Sequence, residues 1–172
     1  MNVNDMIEIV PLIGINIGDQ HINLSASKAS VEAVLGKPHE TWKDSFYYFQ
    51  NELRIDFDAQ GLVTFIEFLG GVDGTLQPHI YGIEAFQADA DALYAVLKGK
   101  NNGDITDSEG GYSYAFLNLN VGIWRQRTPE SIQEMIAEAA ADGNPLSEAD
   151  LADETKLAAH WAAIGIGVKD YY

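Results

Sequence analysis

The stretch Leu53-Arg-Ile-Asp-Phe-Asp-Ala-Gln-Gly-Leu-Val-Thr-Phe-Ile-Glu-Phe68 indicates the fold class of this chain most directly. Apolar and charged residues alternate in its first half, so Leu53, Ile55 and Phe57 would lie on one face of a strand. The turn-forming Ala-Gln-Gly61 sequence follows, and a second apolar run comes after it. The stretch therefore predicts a β-hairpin with one buried face.

The same stretch resembles a calcium-binding loop, because oxygen-bearing side chains occupy the ligand positions and a glycine occupies the sixth. The matching residues are Asp56, Asp58, Gln60 and Glu67. A calcium loop of this kind joins two helices, whereas both flanks here alternate like strands. In a strand, Glu67 is expected to point away from Asp56. We therefore predict a hairpin and no metal site.

Helix signals lie on both sides of this hairpin. Upstream, Ser27 is a predicted N-cap and Gly36 a predicted stop. Downstream, Asp89 is a predicted cap and Gly99 a predicted stop. Each helix has a strand pattern before it and aromatic strand patterns after it.

This recurrence predicts two related strand–helix–strand units, spanning residues 14–70 and 78–127. The segment Ala33-Val-Leu-Gly-Lys37 corresponds to Ala95-Val-Leu-Lys-Gly-Lys100. The aromatic strand of the first unit is echoed in the second, with these residues in matching order: Tyr47, Phe49 and Asn51, then Tyr114, Phe116 and Asn118.

The last third, residues 128–172, is predicted to be a helical extension. Thr128 and Pro129 are typical of a helix start, and Ser147 resembles the cap of a second helix. Gly165 and Gly167 are expected to end that second helix, and Ile166, Val168 and Tyr171 could then form a final short strand. The whole prediction is one α+β domain over residues 1–172, with a mainly antiparallel sheet, helices on one side and a C-terminal helical pair.

Composition excludes several classes of function. The 172 residues contain no cysteine, so disulfides and thiolate metal sites are excluded. A net charge of −16 is expected to repel nucleic acid and anionic membranes. The first eight residues lack the basic opening of a signal peptide, and no apolar run is long enough to span a membrane. We therefore expect a cytoplasmic protein.

No motif for catalysis or cofactor binding is present in the sequence. The four histidines are scattered, and neither Gly-x-Ser-x-Gly nor Gly-Lys-Ser/Thr occurs. We therefore expect no cofactor, and a non-enzymatic role is favoured over an enzymatic one.

The pattern from Ile22 to Trp124 resembles the tandem-repeat α+β fold of the β-lactamase-inhibitor-protein type. The resemblance lies in Ser27-x-x-Ser-Val-x-x-Val-Leu-Gly-x-Pro38, in Leu53-Arg-Ile-Asp-Phe-Asp58 and in a second copy ending at Trp124. It implies that each repeat packs a helical segment on an antiparallel sheet. The chain is also similar to small bacterial proteins, some of them immunity proteins of toxin systems.

Two sets of residues are predicted to contact a partner protein. Consecutive strand residues point to opposite faces, so part of an aromatic strand lies off the core and can anchor a partner. Residues 128–163 carry eight acidic residues against one lysine and could attract a basic protein. The predicted contacts are Trp42, Phe46 and Tyr48 in the first set, and Glu130, Glu134 and Glu138 in the second.

The sequence thus favours a protein-binding module of the immunity or inhibitor type, with a basic protein as its partner. Two other readings stay open. One is a small metal-independent hydrolase or ligand-binding protein, with a pocket between sheet and helices. The other is a domain that pairs with a second copy of itself to form a homodimer.

Overall fold

The β-hairpin predicted from the sequence is present in the structure. In the computed structural model, which describes residues 5–172, the strand Leu53–Phe57 pairs antiparallel with Val63–Phe68. Leu53, Ile55 and Phe57 are buried while the charged residues between them are half-buried, as the alternation predicts.

Residues 5–172 contain thirteen strands and four helices. The strands are β1 (Ile7–Val10), β2 (Gly14–Ile17), β3 (Gln20–Asn23), β4 (Glu40–Trp42), β5 (Ser45–Tyr48), β6 (Leu53–Phe57), β7 (Val63–Phe68), β8 (His79–Ile80), β9 (Ile83–Glu84), β10 (Ile105–Thr106), β11 (Ser113–Phe116), β12 (Val121–Trp124) and β13 (Ala163–Gly167). The helices are α1 (Lys28–Leu35), α2 (Ala90–Asn101), α3 (Pro129–Ala141) and α4 (Glu148–Ala159). The chain is therefore α+β, as the sequence predicts.

The strands form two sheets. The larger has eight strands in the order β10-β11-β12-β13-β7-β6-β5-β4, and the smaller has five in the order β3-β2-β1-β8-β9. Neighbouring strands are antiparallel except β1 and β8, which are parallel. Strands β1 and β2 were not predicted, although the alternating Ile7-Glu-Ile and Ile15-Asn-Ile segments are typical of half-buried strands.

The two halves of the eight-stranded sheet have the same strand order when read outward from its centre. The first half is β7-β6-β5-β4 and the second is β13-β12-β11-β10, and β7 pairs antiparallel with β13. Each half is preceded by one helix, α1 or α2, and by one hairpin of the smaller sheet. A duplicated unit stays a prediction, but its second copy would have to include β13, beyond residue 127.

The two halves correspond residue by residue in a different way from the one predicted from the aromatic residues. Tyr48 lies opposite Leu53, and Phe116 lies opposite Val121 at the same place in the other half. Tyr48 therefore corresponds to Phe116. The correspondence predicted from the sequence, which matched Phe49 to Phe116, is therefore wrong by one residue.

The C-terminal segment contains a final strand, as predicted, but that strand covers Ala163–Gly167 and lies at the centre of the larger sheet. Helix α4 ends at Ala159, and Ala163–Gly167 is fully buried between β12 and β7. The expectation that Gly165 and Gly167 end a helix is wrong. A Cβ atom at Gly165 would collide with the ring of Phe65, and one at Gly167 with the side chain of Tyr171. These glycines leave room for aromatic rings.

Most of the predicted helix boundaries are confirmed by hydrogen bonds. The predicted caps accept hydrogen bonds from nearby backbone N–H groups, and the four caps are Ser27, Asp89, Thr128 and Ser147. Gly99, however, lies inside α2, which continues to Asn101 and ends at Asn102 in a left-handed conformation. Asparagine tolerates that conformation better than most residues, which explains the later stop.

One continuous core joins the smaller sheet, α1, α2 and one face of the larger sheet. Val31 of α1 and Leu93 and Leu97 of α2 belong to it, so both helices lie on this face. Trp161, just after α4, is buried and donates a hydrogen bond from Nε1 to the Ala90 carbonyl at 2.8 Å. Within residues 5–172, no helix combines the length and apolar character needed to cross a bilayer.

We expect Gly165→Ala to lower the free energy of unfolding by about 1–3 kcal/mol, because the added methyl group overpacks a buried strand. The Phe65 ring cannot move away easily, since Tyr171 stacks on it at 4.5 Å. The matched control is Gly99→Ala in α2, where the new Cβ meets nothing within 4 Å. That control should raise the free energy of unfolding by about 0.5–1 kcal/mol. Urea denaturation measures both, and equal effects would contradict the packing explanation.

Candidate functional site

The face of the eight-stranded sheet that points away from the core is the candidate functional site. We call it the open face. Residues directly opposite each other on paired strands share a face, so the strand register identifies its members. The side chains that shape it are Glu40, Trp42, Ser45, Tyr47, Arg54, Asp56, Phe65, Glu67, Ala115 and Trp124, together with Gly122, Gly165 and Gly167.

A charged cluster lies near the middle of the open face. The Arg54 guanidinium contacts Asp56 at 3.0 Å and Glu67 at 3.3 Å, and all three side chains are less than one-third exposed. Ser45 donates a hydrogen bond to Asp56 at 2.6 Å. The guanidinium also lies 5.5 Å from the centre of the Phe65 ring. The cluster is therefore held from several sides.

The three carboxylates of the calcium look-alike are engaged by protein groups. Asp58 accepts backbone hydrogen bonds from Gln60 and Leu62 within the turn. The expectation that Glu67 points away from Asp56 is wrong, because both carboxylates face Arg54 from adjacent positions on the open face. In the described part of the chain, no group of three or more His, Asp or Glu side chains is placed to hold a metal ion.

Burial raises the pKa of Glu67 above its ordinary value. The positive charge of Arg54 opposes this change, while the negative charge of Asp56 adds to it. The net direction is upward, so the ionised form of Glu67 is less favourable in the folded protein than in the unfolded chain.

Two tyrosines cover the middle of the open face, next to the charged cluster. The Tyr171 ring stacks on Phe65 with an interplanar angle of 4°. Tyr172 lies over Gly122, where a Cβ atom would collide with its phenol. Both backbone N–H groups donate to the Asn120 side chain, at 3.0 and 3.3 Å. Burial raises the pKa of both phenols.

A groove of about 250 Å³ lies beside Tyr172 on the open face. Its lining includes Trp124, Glu67, Thr106 and Ser108, together with small residues of the sheet. Trp124 is 40% exposed and lies on β12, the third strand from one end of the sheet. Trp42, 60% exposed, lies on the edge strand β4 at the other end. The open face thus has an exposed tryptophan in each half.

The predicted aromatic contacts have different positions in the structure. Trp42 is exposed on the open face, with the Lys43 ammonium 4.5 Å from its ring centre. Phe46 is half-buried on the core face and packs on Phe57 at 4.7 Å.

Tyr48 is only 3% exposed, and its hydroxyl donates a hydrogen bond to the Gly36 carbonyl at 3.1 Å. Its inclusion among the partner contacts is corrected by this burial, because alternation places Tyr47, not Tyr48, on the open face. Burial, with a smaller contribution from Glu32, raises the pKa of Tyr48 to about 12.

The predicted acidic contacts lie on a different part of the molecule. Glu130, Glu134 and Glu138 are exposed on α3, which packs against α4. Helix α3 follows β12, which is five strands from β4 in the sheet. At roughly 4.8 Å per strand, that separation is about 24 Å. The glutamates therefore lie on a helix that starts just after β12, whereas Trp42 lies on the distant edge strand β4.

Sequence reasoning missed Trp124 and Tyr172 as site residues. The alternating small residues of Gly122 and Ala163-Ile-Gly-Ile-Gly167 were the available signal. Glycine at every second position of a strand marks a close approach by another group.

We expect Glu67→Gln to flatten the pH dependence of stability. Because the folded-state pKa lies above the ordinary value of 4.5, the folded protein binds this proton more tightly than the unfolded chain does. Its contribution to stability is therefore full below that pH and is lost as the pH rises through the folded-state pKa. Glutamine cannot ionise and should remove that loss.

Urea denaturation across a series of pH values measures the effect. Glu130→Gln removes the same charge from an exposed position on α3 and is the matched control. If both variants retained the full wild-type pH dependence, the assignment of this effect to Glu67 would be wrong.

Comparisons with protein-family models, with curated proteins and with solved structures found no match for this chain.

Proposed function

We propose that this protein is a non-enzymatic binding module, of the inhibitor or immunity type, that contacts a basic partner protein through the open face. The observation that carries the proposal is the open face itself. It presents an exposed tryptophan in each half of an eight-stranded sheet, with the Arg54 ion pairs and two tyrosines between them. As part of the same proposal, the protein acts in the cytoplasm.

The size of the open face supports the proposal. Eight strands at roughly 4.8 Å spacing give a surface about 38 Å across. A stable complex of standard size buries about 800 Å² on each partner. A surface of this width could supply that area without contributions from the helices.

The chemistry of the open face is typical of binding surfaces. Tryptophan is enriched among the residues that contribute most to binding, because it buries a large rigid surface. Trp42 and Trp124 would contact the partner on either side of the central cluster, and the groove beside Tyr172 could accept one side chain of the partner. The stacked rings and the Arg54 ion pairs hold this surface in place before binding, which lowers the entropic cost of association.

Charge supports a basic partner. The net charge of −16 would attract a positively charged protein over a long range and accelerate encounter. Glu40 is exposed on β4 two residues before Trp42, so its carboxylate lies on the open face beside that tryptophan. The acidic face of α3 would add to the long-range field without touching the bound partner.

The test is affinity capture from bacterial lysate followed by measurement of Kd with the purified captured protein. We expect a basic protein, bound at about 20 mM NaCl and released at about 500 mM because salt screens the attraction. The double variant Trp42→Ala/Trp124→Ala should weaken that Kd by about a hundredfold, since two binding anchors are lost.

Two control variants make this test specific. Tyr81→Ala removes an exposed aromatic side chain from the turn of the smaller sheet and should leave Kd unchanged. Glu130→Gln/Glu134→Gln/Glu138→Gln should slow association but leave dissociation unchanged. Capture of an acidic protein, or equal binding by the double tryptophan variant, would count against the proposal.

A further inference from the structure

A second cavity, on the helix side of the eight-stranded sheet, contains the most unusual charged group of the protein. It has a volume of about 260 Å³ and lies between the first turns of α2 and α3 and the second half of α4. Its apolar walls include Ala90, Ile132 and Ala159, and its polar lining includes Arg125, Asp89 and Asp91. We call it the Arg125 cavity.

Arg125 is only 7% exposed, yet no carboxylate among residues 5–172 forms an ion pair with it. Its Nε donates to the Gly111 carbonyl at 3.0 Å and its Nη1 to the Ala158 carbonyl at 3.1 Å. The guanidinium also lies 4.8 Å from the ring centre of Trp161. The outer nitrogen, Nη2, has no acceptor in the described chain and is open to solvent, so its two N–H groups are available to a ligand.

The other two arginines show how unusual this arrangement is. Arg54 contacts two carboxylates, and Arg127 contacts Glu154 at 2.5 Å, although both arginines are more exposed than Arg125. A buried charge without a counter-ion costs free energy, and guanidinium groups usually meet carboxylates in such places. An acceptor from outside the chain would satisfy the free donors.

The surroundings of Arg125 define the chemistry of that acceptor. The first turns of α2 and α3 line the same cavity, and helix N-termini favour negative charge. Asp89 and Asp91, however, are exposed at its rim. A purely anionic ligand such as phosphate would be repelled by them. A ligand with a carboxylate at one end and an ammonium group at the other would match both Arg125 and the aspartates.

We propose that the Arg125 cavity binds a free α-amino acid with an apolar side chain. The carboxylate would accept hydrogen bonds from Arg125, the ammonium group would lie toward Asp89 and Asp91, and the side chain would contact the alanine and isoleucine walls. Its volume of about 260 Å³ lies just below the range of about 300–1,000 Å³ typical of small-molecule pockets, as suits a small ligand. A leucine-sized ligand therefore fits. This site lies on the opposite side of the sheet from the open face and does not depend on it.

The test uses valine, leucine, isoleucine, methionine and phenylalanine as probes, with the complete chain and isothermal titration calorimetry. At least one of them should bind and raise the melting temperature. For the best of them, the matching amide, which lacks the carboxylate, and the matching acid without the amino group should each bind about tenfold or more weakly. No binding by any of the five at 10 mM, or equal binding of the amide, would overturn the proposal.

Variants separate a ligand site from a structural role of Arg125. Arg125→Lys should abolish binding, but the loss of its two carbonyl contacts could also unfold the chain. Ala159→Leu therefore fills the cavity without changing Arg125, and it should abolish binding while the protein stays folded. Asp91→Asn should weaken binding about tenfold, whereas Glu148→Gln, in the first turn of α4, is the matched control and should have no effect. Unchanged binding by both the Ala159 and Asp91 variants would overturn the assignment.

Discussion

The antiparallel pairing of β7 with β13 is the interaction on which the rest of the structure depends. It joins the two four-stranded halves of the larger sheet, with Ile66 directly opposite Ile166. On the core face this pairing adds four apolar residues to the buried cluster. On the open face it requires the glycines of β13, because Phe65 and Tyr171 occupy the space above them. One pairing thus sets both the core and the shape of the candidate site.

Much of the fold could be predicted because the signals were local. The alternation from Leu53 to Phe57 predicts a half-buried strand, and Thr128-Pro129 predicts a helix start, since both depend on neighbouring residues. The role of β13 could not be predicted in the same way. The sequence indicates a short strand near Ile166, but its glycines are typical of a helix end, and only the rings that pack on them explain why small residues are needed there.

The candidate site was less predictable than the fold. Alternation places Tyr47 and Tyr48 on opposite faces of the strand, but the sequence does not show which face packs against the core. Tyr48 is therefore predicted as a partner contact, although the structure buries it. Arg125 gave no signal at all. A lone arginine after a strand is ordinary in sequence, and its significance arises only from its burial and from the lack of an ion pair with any carboxylate of the described chain. Such features depend on the tertiary structure.

In the sequence, α3 and α4 separate β12 from β13, and this order determines when the sheet can close during synthesis on the ribosome. Strand β13 emerges after all the other strands of residues 5–172, and it is the strand that fills the gap between the two halves. Until then, β7 and β12 are both unpaired edges, and each is complementary to a β13 strand from any copy of the chain. Exposed edges of this kind promote domain exchange and aggregation. The nascent protein therefore passes through a stage in which correct assembly depends on the last strand reaching its own gap first.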